Sequence, residues 1–429
     1  MKLFDNYLDS ISGILNKNQV RNFSANEENR LPAYFQKAYV HENLSVLQNN
    51  NQNNKVLIQF DKTQLTTLFG QNQDSFASTS IGSHPDFLNL NHHEFENHFC
   101  VSMFMDIKGS TRLNERYSLL EIRKIKDTIL TLAIYTASHF GGHVHRLQGD
   151  GIFLQFVRRG QKEQNAVINA LNAASVLSHF ITSDLAAIFN QNGVTPLRVR
   201  IGIDLGNTND VIWSHYGIPG CSELTTTSLH TDLAAKLQTK AKSNGVLVGG
   251  NIKDILDIKD DFCQTCYDSD GNVDYYIYQD ATINYRKYEF NWQNYLKSFD
   301  FVKGATNSLE VEIPNIRLTC KIKMTDSAVE QTYNQNSFAI PKGSDIEYTI
   351  IENGHPYYKK DWETIEWKAV NSGKEAKNAN ELTHDFGGQY KNKVVCVTHA
   401  GYVGHHYAEC VIKRQHLDNI KLRFPIFVK

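Results

Sequence analysis

Residues 99–113 read Phe-Cys-Val-Ser-Met-Phe-Met-Asp-Ile-Lys-Gly-Ser-Thr-Arg-Leu, and the reading of this stretch decides the fold. Phe99 to Asp106 is short, apolar and rich in strand formers, so it reads as a buried strand that stops at a carboxylate. Downstream, Leu120, Ile122, Ile125, Ile129, Leu132 and Phe140 recur at about helical spacing, and Gly141-Gly142 supply a C-terminal stop, which predicts a core-facing helix. Residues 144–147 and 152–156 flank Gly149-Asp150-Gly151, where Asp-Gly suits the bend of a tight hairpin. A second helical stretch covers about 163–190. Leu197, Val199, Ile201 and Ile203 then alternate with Arg198, Arg200 and Gly202, the period of a strand with one buried face.

Strand, helix, strand, strand, helix, strand is the ferredoxin-like βαββαβ plan, an antiparallel sheet covered by helices on one side. A third helix at about 231–241 and strands at 246–248 and 275–278 extend it, and the domain closes near Asp280. Tyr285, Tyr288, Trp292, Tyr295 and Phe299 follow at spacings of three and four, which predicts an aromatic linker helix over 281–300. Over 301–429 the pattern changes to short alternating strands with turns such as Asn353-Gly354 between them, the signature of a β-sandwich. No nucleophile constellation stands out there, so a binding role is expected. Residues 1–98 form an N-terminal extension with a Gln/Asn tract at 48–54 that reads as a loop and a candidate strand at 56–60. The fold class is therefore α+β, with a catalytic-looking domain over 99–280 and a sandwich after it.

At 429 residues the chain exceeds a single ordinary core, which favours two compact domains. Its formal charge of -2 gives no bulk reason to expect nucleic acid or a membrane surface as a partner, so any phosphate must be held locally. The polar start MKLFDNYLDS lacks a basic region followed by an apolar one, and no unbroken apolar run suggests a span, so a cytoplasmic protein is expected. Seven scattered cysteines in a reducing compartment predict free thiols, and Cys263 and Cys266 lack the second pair that a zinc site needs.

Asp106 at the end of one strand and Asp150 at the tip of the hairpin beside it place two carboxylates next to each other. Such a pair repels unless a cation lies between, and oxygen ligands suit Mg²⁺ or Mn²⁺. Gly109 and Ser110, just beyond Asp106, leave room and backbone N–H groups for a triphosphate at the start of the following helix.

MFMDIKGSTRL at 103–113, RLQGDGIFLQF at 146–156 and LRVRIGIDLGN at 197–207 together resemble the class III adenylyl/guanylyl cyclase family over about 99–280. The resemblance implies that Asp106 and Asp150 each bind two divalent metals (Mn²⁺ or Mg²⁺), that the carbonyl of Ile107 completes the second metal's shell, and that the ribose 3′-oxygen attacks the α-phosphorus. It also implies a head-to-tail homodimer whose sites combine both chains. Arg146 stands at the base-reading position, where adenylyl cyclases have Lys and guanylyl cyclases Glu, and Thr225 stands at the second one. Asp232 replaces the family's Asn and Lys236 its Arg at the phosphate and transition-state positions.

TIEWKAVNSGKEA, LTHDFGG and THAGYVGHHYAECVIK, within 364–413, resemble the C-terminal sensor module of defence-associated cyclases, with Trp367, Tyr402, His405, His406 and Tyr407 as candidates for its surface. The whole arrangement resembles the Pycsar antiphage cyclases, which make cyclic UMP or cyclic CMP for a separate effector protein. Arg146 is a donor and favours a base edge that presents acceptors. Uracil's N3–H would in addition find the Thr225 hydroxyl, which makes UTP the first expectation and CTP the second. A degenerate nucleotide-binding domain or a pure interaction protein would have no need of both carboxylates.

Overall fold

The computed structural model describes residues 63–76, 79–277, 284–305, 308–325, 327 and 329–429; the Gln/Asn tract, the strand expected at 56–60 and the boundary at Asp280 lie outside the described residues. The first domain runs β1 (Phe95–Asn97), β2 (Cys100–Lys108), α1 (Leu119–His139), β3 (Gly142–Gln148), β4 (Gly151–Phe156), α2 (Glu163–Thr182), β5 (Arg198–Gly206), β6 (Ile212–Ile218), β7 (Cys221–Thr227), α3 (Leu229–Lys240), β8 (Gly245–Gly249), β9 (Cys263–Thr265), β10 (Tyr275–Ile277) and β11 (Asn284–Phe290). The main sheet has the order β10-β11-β8-β5-β2-β4-β3, with β9 on β11, so its centre β5-β2-β4-β3 is the βαββαβ arrangement that the periodicity predicts. A smaller sheet, β1-β6-β7, stands beside it, and the β6–β7 hairpin is an addition that the sequence pattern did not predict.

Strand β2 sits centrally because both its faces find cover. Val101, Met103, Met105 and Ile107 are buried in the main apolar cluster with Ile129 of α1 and Leu171 of α2. On the other face Ser102 meets Thr231 of α3, Oγ to Oγ1, at 3.0 Å. Helix α1 begins in a capping box: the Ser118 amide donates to Glu121 Oε2 at 2.8 Å, and Ser118 Oγ accepts from the Glu121 amide. The 163–190 stretch is two helices, α2 and Asp184–Gln191, broken at Ser183. By length and composition the 163–191 stretch is apolar enough to cross a membrane, but 89% of its 18-residue apolar window is buried inside the protein, so the stretch belongs to the core.

The predicted linker helix is corrected by the structure to β11 followed by a short helix, α4 (Trp292–Leu296). Strand β8 offers backbone groups that need partners, and β11 supplies them from Lys287↔Gly249 to Phe290↔Val246. Tyr288 and Phe290 are then buried at the period of a strand, whereas Trp292, Tyr295 and Phe299 keep helical or turn spacing within the same core.

The second domain packs two five-stranded sheets, one built on Ile316–Lys323 and Asp345–Glu352, the other on Gly404–Arg414 between Glu363–Val370 and Ile420–Val428. Trp367, His405, His406 and Tyr407, expected at a sensor surface, are buried instead. Trp367 Nε1 donates to the Lys393 carbonyl at 2.9 Å. His405 Nε2 lies 3.1 Å from Asn336 Oδ1, and Asn336 joins the two domains: its carbonyl accepts from Asn172 Nδ2 of α2 at 3.0 Å and its Nδ2 donates to Ser298 Oγ at 3.0 Å. All seven cysteines are free thiols, and among the described residues no cluster of three metal-ligating side chains occurs.

His406 carries a testable consequence. Its Nε2 donates to the Tyr402 carbonyl at 2.7 Å while Nδ1 accepts from the Ser372 amide at 3.2 Å, so both bonds require the neutral ring. Burial lowers its pKa from 6.5 to about 4. The unfolded chain protonates this ring near pH 6.5 and the folded one only near 4, so its stabilising contribution is complete above 6.5 and is lost as pH falls towards 4. Calorimetric midpoints measured from pH 7.5 to 4.5 should fall more steeply for the native chain than for His406→Gln, by up to about 1.4 kcal/mol per pH unit. Parallel profiles would remove His406 from the acid response.

Candidate functional site

The site begins where the β2–β4 ladder ends. Asp106 pairs with Gly151 on β4 and with Arg200 on β5, and β2 continues past β4 to pair Ile107 with Val199. Gly149, with φ +66°, lets the β3–β4 turn close so that Asp150 stands beside this ladder end. Burial pushes the Asp106 carboxyl above its ordinary value, Arg200 pulls it back, and the Asp150 charge pushes it up again. Arg200 Nη2 donates to Asp106 Oδ2 at 2.6 Å, and Lys126 Nζ of α1 lies 4.0 Å from Asp150 Oδ1. Cationic side chains thus already gather at a carboxylate pair. Two hard oxygen donors with the Ile107 backbone fit a Mg²⁺- or Mn²⁺-type ion whose remaining ligands come from substrate and water.

Beyond Asp106, Gly109 takes φ +77° and opens a short 3-10 turn, Ser110–Glu115, not helix α1 itself. A side chain at Gly109 would meet nothing within 4 Å, so the backbone there faces open space, while Ser110 is buried.

Helix α3 carries Asp232, exposed in its first turn, and Lys236, half-buried one turn later on the same side. It is pressed onto β5 at Gly202, where a Cβ would come within 2.2 Å of both the Ala234 carbonyl and the Gln238 amide. Arg200 ties the helix to the carboxylates, because its Nη1 donates to the Thr239 carbonyl at 2.9 Å while Nη2 holds Asp106. At the helix start, fully buried Asp204 faces His230 Nδ1 at 2.9 Å and accepts from Tyr285 OH at 2.7 Å. Burial works against protonation of His230, but the Asp204 carboxylate outweighs it and raises the ring's pKa.

Arg146 reaches the face of Asp106 through an irregularity. The β3–β4 register shifts between Val144 and Arg146, so that Arg146 pairs with Phe153, which in turn pairs with Phe104 on the Asp106 face of β2. Phe104 and Phe153 stack at 4.2 Å. Arg146 is held in a two-pronged ion pair by Glu223 of β7, with Nε donating to Oε1 at 3.1 Å and Nη2 to Oε2. The buried His145 Nε2 lies 3.2 Å from the same Oε1. Thr225 is two residues beyond Glu223 on β7 and so shares its face.

The expected residues thus lie in three places. Asp106, Ile107, Asp150, Gly109 and Ser110 gather at the ladder end, whereas Arg146 and Thr225 gather at the β3 and β7 strands, with Asp232 and Lys236 on α3. Glu223, Arg200 and Lys126 were missed. Arg200 was legible as an outward residue of β5, but its place opposite Asp106 depends on register. Glu223 lies in a hairpin that shows no clean alternation.

Residues 290–428 match the family model described as Adenylyl/Guanylyl and SMODS C-terminal sensor domain. A cytidylate cyclase of Staphylococcus aureus is 34% identical over 375 residues, which is 86% of this chain and 86% of that protein. A cytidylate cyclase of Escherichia coli is 33% identical over 328 residues, 71% of this chain and 67% of that one. Among solved structures, the adenylyl cyclase CyaB of P. aeruginosa is similar at 18% identity and a TM-score of 0.38, over 46% of this chain and 95% of that one.

The packing of α3 predicts that Gly202→Ala is damaging, because the obstacle is helix backbone and cannot swing aside. Urea unfolding should show a loss of about 1–3 kcal/mol or more. Gly109→Ala, strained by its positive φ but unobstructed, should cost about 1 kcal/mol. Equal midpoints for Gly202→Ala and the native chain would contradict the close approach.

Proposed function

This chain belongs to the class III pyrimidine nucleotide cyclases of the Pycsar type with a C-terminal sensor domain, and from that premise we propose that it converts CTP into 3′,5′-cyclic CMP and pyrophosphate as a homodimer. The observation that carries the reading is the Asp106–Asp150 pair in a chain 34% identical, over 86% of its length, to a cytidylate cyclase. Arg146 and Thr225 taken alone put UTP first. CTP replaces it because relatives matched over most of this chain bear the cytidylate name.

Asp106, Asp150 and the Ile107 carbonyl would hold two divalent cations, Mg²⁺ or Mn²⁺. When bound, they lower the pKa of the ribose 3′-hydroxyl and take up charge on the leaving phosphates. The backbone at Gly109 and Ser110 receives the triphosphate, since nothing crowds Gly109. Lys236 offsets charge on the α-phosphate as a point charge, and Asp232, one turn earlier, steadies it at the i,i+4 spacing. Arg146 and Thr225 read the base.

The class III resemblance implies a head-to-tail dimer in which each site takes metal carboxylates from one subunit and base-reading side chains from the other, and we adopt that arrangement here. Exposed Leu147 at 37%, Tyr216 at 53% and Ile218 at 68% give the hairpins an apolar surface for that contact. The product fits a cytoplasmic second messenger for a separate effector protein in antiphage defence, with the C-terminal domain as the input side.

Equimolar CTP, UTP, ATP and GTP with Mn²⁺, with products resolved by chromatography, should give mainly cyclic CMP; dominance of cyclic UMP would restore the first expectation, and cyclic AMP or GMP would overturn the reading. Asp106→Ala and Asp150→Ala should each lower CTP turnover by at least about 10²–10³-fold. Mixing Asp106→Ala with Lys236→Ala should rebuild one of two sites in a heterodimer and recover part of the activity. Verified heterodimers that stay inactive would place the whole site within one chain.

A further inference from the structure

We infer that Glu223 is a specificity-determining residue, which together with Arg146 reads the amino-bearing edge of cytosine; the inference rests on the CTP reading above. Arg146 carries only donors and Glu223 only acceptors. Their ion pair therefore sets a donor and an acceptor side by side on the face shared with Thr225. Cytosine presents the complement: N3 and O2 accept from the guanidinium, and the 4-amino group donates to the carboxylate, a pairing known from acidic side chains on cytosine N4. Uracil held in the same place would turn O4 towards the carboxylate and N3–H towards the guanidinium, two unsatisfied contacts in place of two hydrogen bonds.

The geometry leaves both groups capacity for a base. Each Glu223 oxygen accepts one Arg146 N–H, Oε1 from Nε at 3.1 Å and Oε2 from Nη2, which leaves each carboxylate oxygen a further lone pair for a base donor. On Arg146, Nε and one Nη2 hydrogen are committed to the carboxylate, which leaves Nη1 to donate. The side chains are 50% and 36% exposed, and an ion pair so open to water contributes little to stability. Holding the fold together is thus a weak reason for it to exist, and presenting a base-reading edge is a stronger one. The pair discriminates by functional group and not by ring size: adenine shares the amino-and-acceptor pattern and guanine resembles uracil, so the pair separates CTP from UTP and does not by itself exclude purines.

The test is competition between CTP and UTP in the full-length dimer with Mn²⁺, comparing native protein, Glu223→Gln and Glu223→Asp, with thermal midpoints as the check on folding. Glutamine still accepts from Arg146 but also offers a donor to uracil O4, so Glu223→Gln should lower the ratio of kcat/KM for CTP over UTP by about 10–100-fold. Glu223→Asp keeps the acceptor, so it should keep the preference for CTP with a raised KM. A folded Glu223→Gln that retains the native CTP:UTP ratio would overturn the inference. So would a common loss of both activities at constant ratio, which is what a residue that merely positions Arg146 would give. Failure of the native protein to make cyclic CMP would instead sink the underlying reading, so the two failures are distinct.

Discussion

Register on β2 is the constraint from which the rest of the site follows. Asp106 faces Gly151 on one side and Arg200 on the other only because each strand is paired in one phase. A slip of one residue would carry Asp106 into the apolar layer occupied by Met105 and bring Met105 out to the carboxylate position. That layer prevents the slip. Val101, Met103, Met105 and Ile107 are each nearly or fully buried, and about 1.5–3 kcal/mol per large apolar side chain would be forfeited by exposing them. The chemistry at the end of β2 is therefore secured by residues that take no part in it.

Helix α3 extends the same logic to a second layer. It can approach β5 closely because position 202 has no side chain, and Arg200 then spans from its C-terminal carbonyl to Asp106. The other end is anchored by Asp204, a fully buried carboxyl whose pKa burial raises and His230, Tyr285 and the Leu205 amide pull back. A buried polar group without partners is expensive, so this network specifies one placement of the helix. The interface between the domains follows the same rule. Asn336 is hydrogen-bonded to Asn172, Ser298 and His405 inside it, which defines how the sandwich seats on α2.

Sequence periodicity revealed the parts of this fold whose burial is one-sided and regular. The βαββαβ centre and the sandwich were legible because periods of 3.6 and 2 persist through them. The aromatic run from Tyr285 to Phe299 misled because three-and-four spacing arises equally when a strand with two buried aromatics is followed by a short helix and a turn. The β6–β7 hairpin stayed hidden because Tyr216, Gly217, Ile218, Cys221 and Ser222 about its turn are all exposed, and because the buried and outward positions at 225–227 are all threonine, so the alternation in burial has no counterpart in residue type. Asp106 and Asp150 were found from adjacency along the chain and in the hairpin. Glu223, Arg200 and Lys126 were not, since each acts across elements and its partner depends on register or helix packing. Trp367, His405, His406 and Tyr407 of the second domain stand as surface candidates in the sequence because composition does not distinguish a sandwich core from a recognition patch; all four are buried.

The shift in β3 has a consequence for counting. In an unbroken strand, residues two apart share a face, and Val144 and Arg146 would point the same way. The extra residue at His145 reverses the parity, so Val144 looks into the core and Arg146 looks towards the phenylalanine stack. Positions measured back from Asp150 consequently name one face down to Arg146 and the opposite face beyond it. A chain with the same letters but one residue fewer at this point would align perfectly on paper and present a different surface to the nucleotide.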